Sequence, residues 1–281
     1  MTSTILVTGA TGKTGRRLAA LLKDQGVVVR AASRRPSPDQ IAFDWQGSST
    51  HAAALDAADA LYLVPPAMIE DPTPVVAPFL AAARRAGVRG VVLVSSMGAG
   101  FPAEPPQSGR RRLETLVQDS GLDWSILRPS GFMQNFSEGF LLPAVKNGVT
   151  PNPAGDGKVA LVDAGDIAAV AAAVLTSAAR HAGRTYDVTG PSLIGYAEIA
   201  QIIERAVDRP ITVRPLTSAQ FLAMIQGAGV PPDYAAMLLR DQEAIRDGAA
   251  ATLSDTVQQL VGRKPRSFVD YAAEAAETWR G

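Results

Sequence analysis

Cysteine is absent from the 281-residue chain. Its absence removes disulfides, thiol nucleophiles, iron–sulfur clusters and cysteine-ligated zinc together. Histidine occurs only at 51 and 181, which leaves no histidine-rich metal motif and little material for a histidine-centred triad. Lysine is confined to 13, 23, 146, 158 and 264, and the arginines are scattered. Neither sign of charge dominates, since 27 basic residues stand against 27 acidic ones. The electrostatic footprint of a nucleic-acid or anionic-membrane partner is therefore missing. No apolar run nears the roughly 20 residues that span a bilayer, and no basic segment followed by an apolar stretch opens the chain as a signal peptide would. These gaps predict a soluble, cytoplasmic protein with no metal, nucleic-acid or membrane partner; they leave the oligomeric state open.

A hydrophobic share of 47% is present instead, enough for a sizeable core in one large domain or a large one with a smaller attachment. The first two-thirds alternates apolar runs with helical patterns. Strands are expected at 4–8, 27–32, 60–64, 90–95 and 124–128, with helices at 13–25, 73–86 and 108–119 between them. The runs Ile5-Leu6-Val7 and Val91-Val92-Leu93-Val94 are apolar without alternation, as in parallel strands covered on both faces. A stretch rich in proline and glycine follows Pro129 through Gly157. A strand at 159–162, a helix at 167–177 capped by Asp166 and a strand at 184–188 then resume the pattern. The remainder reads as helices at 196–207, 219–228, 233–248, 254–261 and 267–279, with a short strand at 211–213. The fold class predicted is α/β, a Rossmann-type doubly wound parallel sheet with a smaller, mainly helical C-terminal region.

Gly9-Ala10-Thr11-Gly12-Lys13-Thr14-Gly15 follows the first strand and opens the first helix. That context, with a second strand ending about 20 residues later, is what a dinucleotide-binding turn requires. Gly9 makes the turn, Gly12 lets backbone approach a pyrophosphate, Gly15 lets helix and strand pack, and Thr11, Lys13 and Thr14 complete the cradle. No P-loop is present, because the glycine it needs five positions before Gly12 is Val7. The second strand ends Ala32-Ser33-Arg34-Arg35-Pro36 without the acid that holds the ribose of NAD. Ser33, Arg34 and Arg35 suit a 2′-phosphate, so the cofactor expected is NADP(H). Asp44 is a candidate contact for the adenine amino group. The expected division is a cofactor-binding core over 1–155, a segment 156–190 returning to it, and a substrate-side domain over 191–281.

Several further segments resemble one family. Leu61-Tyr62-Leu63-Val64-Pro65-Pro66, Val94-Ser95-Ser96, Leu127-Arg128-Pro129-Ser130-Gly131-Phe132-Met133-Gln134-Asn135-Phe136 and Gly155-Asp156-Gly157-Lys158 are similar to those of the NmrA-like atypical short-chain dehydrogenases/reductases. Phe43-Asp44-Trp45 and Val230-Pro231-Pro232-Asp233-Tyr234 narrow the resemblance to the festuclavine/agroclavine dehydrogenase type of ergot-alkaloid biosynthesis and its bacterial relatives. The resemblance runs over essentially the whole chain. It implies that Val64, Pro65, Ser95, Arg128 and Pro129 face the cofactor. The substrate would lie near Met97, Arg110, Phe132, Met133, Asn135 and Phe136, where aromatic and methionine side chains suit an apolar, flat molecule.

The chain departs from the usual reductase pattern at the proton donor. Tyrosines lie at 62, 186, 196, 234 and 271, and the fourth residue after each is Pro66, Gly190, Ala200, Leu238 and Ala275. The Tyr-x-x-x-Lys motif is missing, and an arginine such as Arg110 is a poor acid at neutral pH. Hydride addition to an iminium needs no acid, because the product is already neutral. An activated alkene or a quinone is the other chemistry open to such a site, with Ser96 as a candidate catalytic hydrogen-bond donor. Two functions follow for this small-molecule site: an NADPH-dependent reductase of an iminium, activated alkene or quinone-like substrate, or a non-catalytic NADP(H)-binding regulator.

Overall fold

The computed structural model describes residues 3–280. Its strands are β1 (Thr4–Val7), β2 (Val28–Ser33), β3 (Ile41–Ala42), β4 (Ala60–Leu63), β5 (Gly90–Val94), β6 (Asp123–Pro129), β7 (Val149–Asn152), β8 (Arg184–Val188) and β9 (Thr212–Pro215). The helices are α1 (Gly15–Asp24), α2 (His51–Leu55), α3 (Thr73–Arg85), α4 (Gly109–Gln118), α5 (Leu142–Lys146), α6 (Ala164–Thr176), α7 (Ala178–His181), α8 (Tyr196–Val207), α9 (Ser218–Gly227), α10 (Pro232–Arg246), α11 (Thr256–Val261) and α12 (Phe268–Arg280). Seven strands form one parallel sheet in the order β3-β2-β1-β4-β5-β6-β8. The apolar runs predicted it: Ile5, Leu6, Val7, Leu61, Leu63, Val91 and Leu93 are all buried, since helices cover both faces.

The order reverses between β1 and β4, so the chain after β1 turns one way across the sheet and later strands extend the other way. A crevice opens beyond the carboxyl ends of strands at such a point, and ligands of open α/β sheets bind there. Thr8 fixes its geometry. Its hydroxyl donates to the Tyr62 carbonyl at 3.0 Å and accepts from the Val64 amide at 2.8 Å, tying the ends of β1 and β4 together.

Helix α6 lies on one face, alanine-rich and buried on most of its sides, and packs against α1 and α11. Small side chains permit that close approach. Its N-cap is Asp163, whose carboxylate accepts from the Gly165 amide at 2.6 Å. Asp166, expected as the cap, sits in the first turn. There it accepts from the Arg266 amide at 2.7 Å and pairs with Arg263. The helix therefore begins three residues earlier than the apolar pattern indicated, because Ala164 and Gly165 carry no signal of their own. The strand expected at 159–162 makes no ladder. Only single bridges occur, between Val159 and Ile194 and between Phe132 and Val162. Beyond β6 the chain instead forms β7, which pairs in parallel with β9. A second core of Trp279, Phe268, Tyr271, Ile199 and Ile203 sits beneath the C-terminal helices. Trp279 is fully buried, and its indole N–H donates to the Phe136 carbonyl at 2.8 Å. The last helix is thus bonded to the loop that leaves β6. No helix of the described residues is long and apolar enough to cross a membrane.

Candidate active site

The glycine turn at the end of β1 is built by sterics. Gly9 has φ +62°, in the left-handed region, where a side chain is strained. A Cβ on Gly15 would lie 2.2 Å from the Gly9 carbonyl oxygen, so only glycine lets α1 start this close to β1. The Gly12 amide donates back to that carbonyl at 2.8 Å. Thr14 provides no side-chain cap for α1; the Arg16 amide donates to the Gly12 carbonyl at 3.2 Å, while the Gly15 amide at the helix start has no partner among the described residues and is open to an anion. This turn fits a pyrophosphate. At the end of β2, the Ser33 hydroxyl accepts from the Arg35 amide at 3.3 Å and braces the turn. Arg34 and Arg35 are exposed, and neither forms an ion pair among the described residues. Asp44 is engaged by its own turn, its carboxylate accepting from the Gln46 amide at 3.1 Å. Its carbonyl receives His51 Nε2 at 3.0 Å, and His51 stacks on Phe43.

The strand-end loops converge on the same edge. Val64 packs on Gly9, where a glycine Cβ would stand 3.1 Å from the Val64 Cβ, and Pro65 follows it half-buried. Ser95 and Arg128, at the ends of β5 and β6, both bind Glu114 of α4. The serine hydroxyl donates at 2.5 Å, and the guanidinium donates at 2.9 and 2.5 Å. Pro129 is buried and closes β6. Ser96 caps the turn Met97–Gly100, accepting from the Gly98 amide at 3.1 Å, and Met97 is buried beneath it.

Arg110 is neither solvated nor open to a substrate. It lies buried on α4, with a two-pronged bond to Glu104 at 2.7 and 2.6 Å and a third to Asp241 of α10 at 2.8 Å. Arg240 adds a bond to Glu104 at 3.2 Å. Burial would raise the Glu104 carboxyl, but Arg110 foremost, with Ser108 and Arg240, holds it down at about 2. This cluster presses on the turn after β5: a Cβ on Gly98 would lie 1.9 Å from an Arg110 nitrogen and 2.5 Å from the Asp241 carboxylate. Ser95, Arg110 and Arg128 are recognisable as candidates from sequence, whereas Glu114, Glu104 and Asp241, the carboxylates that hold them, are not.

The turn Met133–Asn135 stands between the two cores. Gln134 is buried and anchors it, donating to Asp163 at 2.9 Å and accepting from the Ala164 amide at 2.9 Å. Met133 packs below. Lys13 of the glycine turn donates to the Asn135 carboxamide oxygen at 2.9 Å. Burial lowers the Lys13 ammonium's pKa, against the attraction of Glu138. Behind this turn is a cavity of about 60 Å³ lined by Phe132, Asn135, Phe136, Phe140, Tyr196, Phe221, Gln242 and Ile245, among others. No acidic or basic side chain lines it among the described residues. Gly157 brings α10 to this place, since a Cβ there would lie 2.2 Å from the Ile245 carbonyl oxygen. Tyr196 and Gln242 had no signal in the sequence, being one phenol and one amide on helices whose docking is set by distant segments.

Residues 9–178 match the family described as NAD(P)H-binding. The chain belongs to that family. Its full-length similarity narrows the group. A (4-alkanoyl-5-oxo-2,5-dihydrofuran-3-yl)methyl phosphate reductase of Streptomyces griseus is 39% identical over 98% of this chain and 99% of its own. Agroclavine dehydrogenase of Claviceps fusiformis is 31% identical over 98% of both chains, which bears out the resemblance read from the motifs. Among solved structures, an NADPH-dependent quinone oxidoreductase of Escherichia coli superposes with a TM-score of 0.78 at 24% identity, over 96% of this chain and 98% of its own. The likeness to that structure is one of fold.

Proposed function

We propose that the protein is an NADPH-dependent reductase of a small molecule bearing an activated double bond, one conjugated to a carbonyl or built into a quinone. The observation that carries this reading is the cavity behind the turn after β6, whose Asn135 is bonded to Lys13 of the glycine turn: aromatic and aliphatic walls, two carboxamides and a phenol, and no carboxylate. A cationic iminium would have to leave water without a counter-charge, a heavy cost in an apolar site, whereas a neutral conjugated carbonyl enters without that penalty. The Streptomyces griseus relative supports the same reading, because the ring in its name carries a double bond conjugated to the 5-oxo group. The iminium reading keeps the support of the agroclavine dehydrogenase relative. Both relatives are named for redox chemistry, which favours an enzyme over a regulator.

NADPH rather than NADH is the fitting donor, because the free guanidinium groups of Arg34 and Arg35 meet no acid at the end of β2. When bound, NADPH would supply the hydride: to a conjugated carbonyl at the β-carbon, with a solvent proton at the α-carbon completing the saturated product, and to a quinone with a solvent proton to give the hydroquinone. The chain's own part is positioning. Val64, Pro65 and the turn after β5 shape the crevice, Gln134 fixes the loop after β6, and the aromatic walls exclude water. The test is NADPH consumption with cyclic enones, butenolides, quinones and cyclic iminium salts, each product identified by mass. Turnover of enones, butenolides or quinones with a gain of two hydrogens is expected. Turnover of the iminium salts alone, or of nothing despite tight NADPH binding, would overturn the reading.

A further inference from the structure

We propose that Asn135 and Gln242 form a pair of hydrogen-bond donors that receives the carbonyl oxygen of the substrate, in place of the missing Tyr-x-x-x-Lys. The inference rests on the reading of the site as a reductase of conjugated carbonyls. It follows from which end of each carboxamide is already taken. An ammonium group has donors only, so Lys13, at 2.9 Å from Asn135 Oδ1, holds that oxygen and turns the amide NH2 away from itself. The Tyr196 hydroxyl donates to Gln242 Oε1 at 3.0 Å. Burial raises the Tyr196 pKa, so the phenol keeps its proton and its role as donor. Each carboxamide therefore has its acceptor satisfied and its donors free, and neither amide nitrogen has a protein partner among the described residues.

Both side chains line the same cavity, Asn135 from the turn after β6 and Gln242 from α10. The rest of the lining is apolar apart from Tyr196. Both residues are half-buried and their amide donors are free toward this space, so an accepting oxygen on a ligand is the partner they lack. The ligand chemistry that answers is an oxygen bearing partial negative charge. A conjugated carbonyl carries one in the ground state, and it becomes an enolate as hydride arrives at the β-carbon. Donors fixed in advance where charge develops are the most effective form of such stabilisation. Lys13 and Tyr196 are positioning residues here: each acts through the amide it orients, and the ammonium behind Asn135 polarises it further. A cation gains nothing from four N–H groups backed by a lysine, so the pair discriminates against iminium substrates.

The experiment uses the full chain with saturating NADPH and 2-cyclohexen-1-one, menadione and N-methyl-3,4-dihydroisoquinolinium as probes. Gln242→Met removes the donor, and Gln242→Glu keeps an acceptor for Tyr196 while replacing NH2 with oxygen. Expected is a loss in kcat of about 100-fold or more for Gln242→Met on whichever carbonyl substrate the parent reduces, as for removal of one such donor elsewhere. Gln242→Glu should be worse at neutral pH and regain activity as the introduced carboxyl is protonated into a donor. A merely structural glutamine would not give that pH profile. The NADPH Kd should stay within about twofold in both, because the cavity end of the site is altered and the phosphate cradle is not. Asn135→Asp, which keeps an oxygen for Lys13, supplies an independent arm if either Gln242 variant fails to fold, and the same recovery at low pH is expected of it. Variants that reduce the carbonyl substrate within about twofold of the parent, with no change in pH profile, overturn the donor pair. A parent that reduces neither carbonyl probe overturns the function it rests on, which is a different result.

Discussion

At the residue scale the cofactor site is a matter of individual atoms. Gly9 is needed for its positive φ and Gly15 because any larger residue would sit against the Gly9 carbonyl. These roles were legible in the sequence, since spacing alone places the glycines between a strand and a helix. Arg34 and Arg35 were legible for a different reason: no acid stands at the end of β2, and both side chains are exposed and form no ion pair among the described residues. Arg34→Asp is expected to weaken NADPH by roughly 10- to 100-fold, the worth of a charge-assisted contact replaced by repulsion, and to change NADH little. Fluorescence titration of the two cofactors checks it; equal losses would remove the 2′-phosphate role. Asn135 and Gln242 lay beyond any local pattern, because what makes them functional is the partner that claims the oxygen of each.

At the element scale α4 is the instructive case. Its bounds were read from sequence to within a residue, but the meaning of its charges was not. Arg110, Leu113, Glu114 and Val117 recur at i, i+3, i+4 and i+7, one buried stripe. That spacing was the available sign that Arg110 and Glu114 face inward and need partners. The partners come from Glu104, Asp241, Ser95 and Arg128, which only the tertiary fold assembles. The resulting cluster joins the turn after β5 to α10, and it has a pH signature. Glu104 ordinarily titrates near 4.5 and is held at about 2 in the folded chain. A depressed carboxyl contributes stability that is present above its unfolded value and lost as pH falls through the folded one. Urea midpoints should therefore fall between pH 4.5 and about 2. Glu104→Gln should be less stable at pH 7 and should flatten that acid limb; an unchanged limb would contradict the assignment. The pair β7 and β9 shows the opposite failure. Pro151 and Pro153 make 149–153 read as loop, while the strand exists because β9, some sixty residues later, supplies its only ladder.

Over the whole molecule, the parallel sheet supplies the crevice, and the C-terminal helices supply its far wall. The sequence showed both regions and their class. How they dock was not legible, since it depends on single contacts such as the Trp279 indole on the Phe136 carbonyl and the Gly157 approach to Ile245. Trp279→Ala should cost about 3–5 kcal/mol, the range for emptying a fully buried aromatic site. A calorimetric scan reads it as a drop in Tm, and a change under about 1 kcal/mol would show that the last helix is not integral to the fold.

The wall that those helices form is what leads to the proposed chemistry: an apolar end with free amide donors and no counter-charge for a cation. The most direct test is the fate of the transferred hydrogen. With NADPH deuterated at nicotinamide C4 and a cyclic enone or butenolide as substrate, one deuterium is expected at the carbon β to the carbonyl, with the ring double bond reduced. Deuterium on the carbonyl carbon, or its appearance only in an amine formed from an iminium, would contradict the proposed chemistry.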